Sequence, residues 1–102
     1  MIAVLDQNRA ELGALCAHYG VVRLDVIGSA ARGNFRPDQS DIDFVVEFSN
    51  LTPQNAADRY FGLLADLEDL FSRKIDLISY TALRNPYFKQ VIDRTRVSLY
   101  AA

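Results

Sequence analysis

Apolar residues recur along this chain with two periods, and the switches between them mark its elements. Over residues 3–19, Leu5, Leu12, Leu15 and Tyr19 fall at helical spacing with Asn8, Arg9 and Glu11 between them, which predicts one helix. Gly20 then stands where a helix C-cap is expected. Residues 21–27 are rich in β-branched side chains and predict a strand with Val22, Leu24 and Val26 on one face. A short helix over 29–35 and a loop over 36–40, marked by Pro37 and Asp38, lead to a second strand over 41–48. Its alternation puts Ile42, Phe44, Val46 and Phe48 on a core face and Asp41, Asp43, Val45 and Glu47 on the other.

Thr52 and Pro53 predict the start of a helix over 53–71, whose stripe of Ala56, Tyr60, Leu63, Leu64, Leu67 and Phe71 reads as core. The segment KIDLIS at 74–79 predicts a short strand. A last helix over 86–94 carries Phe88, Val91 and Ile92, and 97–100 reads as an edge strand or a loose tail. With no repeats, low-complexity tracts or linkers, residues 1–102 read as one α+β domain.

Composition narrows the classes. At 102 residues the chain is long enough for a modest core, and half its residues are apolar. A net charge of −2 lacks the basic surface of a general nucleic-acid binder. The single cysteine, Cys16, has no internal partner for a disulfide, so a reducing cytoplasm is the simplest compartment. Asp6, Arg9 and Glu11 break up any apolar start, so no signal peptide is expected, and no apolar run approaches a membrane span.

The candidate chemistry sits between the first two strands. Asp41 and Asp43 project from one face, and adjacent carboxylates stay ionised together only with positive charge between them. A hard divalent cation such as Mg²⁺ supplies that charge and is usually shared with substrate phosphates. Gly28 and Ser29 directly follow a strand, where small residues let backbone N–H groups approach a phosphate. Arg32 either adds charge to that phosphate or pairs with Asp38 on the surface. Asp76 sits mid-strand between Ile75 and Leu77, which is costly unless exposed or paired. Beside Asp41 and Asp43 it completes a triad able to hold two metal ions about 4 Å apart. Glu47 reads as solvated, His18 as a surface or capping residue, and Cys16 as a small buried apolar group.

The run GSAARGNFRPDQSDIDFVVEF, with the later KIDLIS and the ending NPYFKQVIDRTRVSLY, resembles the minimal nucleotidyltransferases of the DNA polymerase β superfamily over nearly the whole chain. The interval between Ser29 and Asp41 is one residue longer than the family's usual spacing, a difference the 36–40 loop can absorb. The resemblance implies a polymerase β-like fold, a mixed sheet with helices packed on it, that binds Mg²⁺ and ATP. It implies that Gly28 and Ser29 hold the triphosphate, with Arg32 a weaker candidate. Asp41 and Asp43 would ligate both metals, while Asp76 would hold the catalytic metal and help deprotonate the acceptor. Family members of this size are often antitoxins paired with a HEPN-domain ribonuclease toxin, and transfer AMP to one of its tyrosines.

The expectation is therefore a Mg²⁺-dependent nucleotidyltransferase acting on a partner protein. The rival is a binding module that neutralises its partner by contact alone. Transfer to a small molecule ranks last, because such enzymes commonly carry an extra helical domain.

Overall fold

Apolar alternation in four segments builds one sheet. The computed structural model describes residues 3–32 and 41–102. Strands β1 (Val21–Ile27), β2 (Ile42–Phe48), β3 (Ile75–Ser79) and β4 (Val97–Ala101) stand in the order β3-β2-β1-β4. β1 runs antiparallel to both β2 and β4, whereas β3 lies parallel to β2. A parallel pair needs a crossover, and helix α4 (Ala56–Phe71) provides it. The segment over 97–100 is thus an edge strand, extended to Ala101.

Helices cover both faces of this mixed sheet. Leu24, Val26, Phe44, Val46, Ile75 and Leu77 point to one face and form the main core with Leu5 and Leu12, Cys16, and Leu63, Leu67 and Phe71 of α4. On the other face, Ile27 and Val45 form a smaller cluster with Ile92 of α5 (Pro86–Thr95), joined by Ile78, Tyr80 and Leu83. Among the described residues no helix is long and apolar enough to cross a membrane.

Local departures from the alternation have local causes. The N-terminal helix divides into α1 (Ala3–Gln7) and α2 (Arg9–Tyr19). Asn8 interrupts it: its side-chain amide donates to the Val4 carbonyl at 2.8 Å, competing with the helical ladder. Val22 is exposed, because a register shift between Val21 and Arg23 turns Val21 to the core instead. α4 begins at Ala56, three residues late, since Thr52 and Asn55 bond reciprocally at 2.9 and 3.3 Å and spend the intervening residues in a turn.

Two caps lock the frame. Gly20, in the left-handed region at φ 70°, ends α2 as its position suggested, and a Cβ there would fall 1.6 Å from Nη2 of Arg59. Arg59 of α4 donates to the carbonyls of Tyr19 at 2.8 Å, Ser49 at 2.7 Å and Gly20 at 3.2 Å. One guanidinium thereby ties the end of α2 to the end of β2. At α5, Pro86 takes the first turn and Asn85 accepts from the N–H groups of Tyr87 at 2.9 Å and Phe88 at 3.3 Å.

Candidate active site

The sheet register brings distant carboxylates together. Ile27 at the end of β1 pairs with Asp43, and Asp43 pairs in parallel register with Asp76 of β3. Asp76, thirty-three positions on, therefore stands directly across from Asp43 on the same face. Asp41 precedes β2 by one residue and is exposed, as is Asp76, while Asp43 is half-buried. The cost of a charge inside KIDLIS is met by exposure.

Gly28 lies against this cluster. Its φ is 72°, and a Cβ built on it would come within 2.7 Å of Oδ2 of Asp43. Both facts demand glycine: the left-handed conformation penalises a side chain, and the approach leaves it no room. The turn then enters a single helical turn, α3 (Ser29–Arg32), with the Gly28 carbonyl accepting from Ala31 and Arg32 at 3.1 Å each. Four residues carry little macrodipole, so free N–H groups are what this turn offers an anion. Arg32 is exposed at its end. The expected continuation of this helix past Arg32, the 36–40 loop and a pairing of Arg32 with Asp38 lie outside the described residues.

Charge in the cluster is unbalanced. Burial holds the Asp43 pKa above its ordinary value, and the carboxylates of Asp76 and then Asp41 raise it further. Oxygen-only donors facing one another fit a hard divalent cation. Among the described residues no three potential ligands already stand at metal-holding spacing, so the three aspartates are a focus of negative charge rather than a finished cage. Behind β3, the Tyr60 hydroxyl donates to the Leu77 carbonyl, and its pKa is raised by burial and then by Asp76.

A second charged group on the same face escaped the sequence reading. Asp25, fully buried in β1, accepts from Nε of Arg96, and Arg23 lies 2.9 Å away. Arg96, with only 7% of its side chain exposed, also donates to Glu47 at 2.9 Å and stands over the Tyr80 ring at 4.7 Å. Glu47 is thus an ion-pair partner, not a solvated carboxylate. Burial alone lowers the Arg96 pKa, but the bonds it donates to Asp25 and Glu47 carry it above its ordinary value. The signal was available: Asp25 interrupts RLDVI as Asp76 interrupts KIDLIS, and the same cost argument asks for a partner. His18 is exposed and Cys16 buried, as expected.

Two cavities lie away from the aspartates. One of about 480 Å³ runs between α2 and α4, edged by Glu11, Asp66 and Asp69. The other, about 430 Å³, lies between Phe48 and Leu51, the start of α4 and the Ser79–Ala82 segment.

Known proteins resemble this chain in sequence and in fold. The profile of the family described as nucleotidyltransferase domain matches residues 11–98. A protein of Methanocaldococcus jannaschii named "Putative protein adenylyltransferase MJ0128" is 40% identical over 90 residues, 88% of each chain. A solved structure described as "putative minimal nucleotidyltransferase" superposes with TM-score 0.69 at 32% identity, covering 91% of this chain and 90% of that one. A chain from the complex of tri-AMPylated Shewanella oneidensis HEPN toxin with MNT antitoxin shares the fold, with TM-score 0.65 at 16% identity, covering 96% of this chain and 73% of that one.

Proposed function

This chain belongs to the nucleotidyltransferase domain family and is an enzyme of that class; from that premise we propose that it transfers AMP from ATP to a tyrosine hydroxyl of a HEPN ribonuclease toxin, and so acts as an antitoxin. The observation that carries this reading is the register that sets Asp43 against Asp76 with Gly28 closed onto Asp43. The adenylyltransferase relative and the toxin complex with AMP attached support the nucleotide and the partner.

Each side chain has a part in that reaction. Gly28 and Ser29 present backbone N–H groups to the triphosphate, and Arg32 at the end of α3 adds charge to the same anion. Asp41, Asp43 and Asp76 would hold Mg²⁺, two ions in the full arrangement. Bound there, Mg²⁺ would neutralise the phosphates and favour in-line displacement. The acceptor oxygen attacks the α-phosphorus, the bond to the β-phosphate oxygen breaks, and pyrophosphate departs. The acceptor proton passes to the Asp76 carboxylate, the exposed member of the cross-strand pair.

Intact mass spectrometry tests this directly. The product of the neighbouring reading frame is incubated with it, Mg²⁺ and each triphosphate in turn. The expected result is a gain of one or more AMP units from ATP, lost with Asp41→Asn. No gain with any triphosphate, beside a stable complex of the two proteins, would replace transfer with neutralisation by contact.

A further inference from the structure

Helix α5 is amphipathic in the wrong sense for a helix that only covers a sheet. It contributes Ile92 to the small cluster with Ile27 and Val45, yet leaves Tyr87 78%, Phe88 42% and Val91 45% exposed. Those are three of the six large exposed hydrophobic side chains among the described residues. Tyr87 and Phe88 stand four and three positions before Val91, so the three share one side of the helix. Apolar surface gathered this way marks an interaction site more often than a free surface.

Position and charge narrow the occupant. α5 covers the face of the sheet that bears Asp43 and Asp76, because Val45, its contact through Ile92, lies two residues from Asp43 along β2 and so on the same face. The region from residue 80 to 102 holds four basic residues and one acidic one in a chain that is acidic overall. That acidic residue, Asp93, is engaged by the Tyr80 hydroxyl at 2.7 Å and lies 3.7 Å from Arg96. Arg84 and Arg94 are exposed and have no ion-pair partner among the described residues. Two copies meeting at α5 across a two-fold axis would bring these arginines together, and like charges across an interface oppose association.

Resting on the adenylyl-transfer reading, we infer that the exposed side of α5, centred on Tyr87, Phe88 and Val91, is the docking surface for the acceptor protein, whose contact patch is apolar at its centre and acidic at its rim. The helix holds the acceptor on the face where the aspartates project.

Val91→Glu and Arg94→Glu test this in the full chain, with the product of the neighbouring reading frame as the acceptor and Val91→Leu as control. Each charge variant should raise the KM for acceptor at least tenfold, leaving kcat at saturating acceptor and the KM for ATP unchanged. Val91→Leu should match the unmodified chain. An unchanged acceptor KM in both charge variants, or an equal loss in kcat, would overturn the inference. Sedimentation of the chain alone should show a monomer. A dimer that Val91→Glu dissolves would give this face to a second copy, meeting its acidic groove at Glu11, Asp66 and Asp69, and would also overturn it. If the unmodified chain transfers no AMP at all, the adenylyl-transfer reading falls. Calorimetric binding of that gene product then decides docking separately: a tenfold weakening by Val91→Glu upholds the surface, and no change rejects it.

Discussion

Replacing Asp43 by Asn is expected to stabilise the metal-free protein while abolishing transfer. Asp43 and Asp76 are direct neighbours on adjacent strands, where side chains stand about 5 Å apart. Two charges at that separation repel by about 1 kcal/mol at the dielectric constant of water and about 3 kcal/mol at the effective value near a protein surface. Asp76 is exposed and Asp43 half-buried, so water and salt bring the net relief down to about 1 kcal/mol. The pH dependence follows from the raised pKa of Asp43, caused first by burial and then by Asp76 and Asp41. The folded chain holds that proton more tightly than the unfolded chain, so stability present in acid is lost as pH rises from the ordinary carboxylate range through the raised value. Asn has no such loss. Urea unfolding in chelator should therefore show the variant ahead at neutral pH and level with the unmodified chain in acid. Saturating Mg²⁺ reverses the order, since a ligand at a hundred times its Kd stabilises the binding-competent chain by about 2.7 kcal/mol. A variant less stable than the unmodified chain in chelator at neutral pH, or one stabilised equally by Mg²⁺, would refute the reasoning.

Other expectations are more local. Gly28→Ala should lower transfer at least tenfold at constant fold, because its methyl group would sit 2.7 Å from Oδ2 of Asp43; the left-handed conformation adds about 1–2 kcal/mol of strain, and paired kinetic and melting measurements separate the two effects. Arg96→Met leaves buried Asp25 with only the half-exposed Arg23, and should cost about 3 kcal/mol and about 15 °C in Tm. Asp25→Leu combined with Arg96→Met should recover much of that loss. Burial pushes the Cys16 thiol up to about 12, so alkylation at neutral pH should proceed only through unfolding, at a rate that tracks urea concentration.

What the sequence disclosed follows from how local each determinant is. Alternation along 41–48 was sufficient to orient Asp41 and Asp43, because side-chain direction in a strand depends on parity alone. Gly28 and Ser29 were legible for a similar reason, as a turn directly after a strand. Asp76 was recognisable as costly, but its place opposite Asp43 depends on the parallel pairing of β2 and β3, which no short-range pattern encodes. Val22 was misplaced because a bulge breaks parity without leaving a glycine to announce it. The break at Asn8 lies in a side-chain bond one turn back, a competition that apolar periodicity does not register. Arg96 is separated from Asp25 by 71 positions, and a lone arginine beside the last strand gives no hint of its partners.

The two charged groups on one sheet face explain why such a small fold can hold a reactive site. At one end Asp25 and Glu47 converge on Arg96, with Arg23 and the Tyr80 ring closing the group. Charge there is balanced within the chain, and the ion pairs join β1, β2 and the start of β4. At the other end Asp41, Asp43 and Asp76 converge without an ion-pair partner among the described residues, and the cost appears in the raised pKa of Asp43. Both ends draw a carboxylate from β2, Glu47 at one and Asp43 at the other. The difference is that one group supports the fold, whereas on the proposed function the other is balanced by a ligand. Repulsion retained at Asp43 is a stability the chain forgoes, which on the proposed function Mg²⁺ at the three aspartates would recover. A rigid sheet fixed by Arg96 at one end is what allows the aspartates at the other to keep that repulsion without the strands parting.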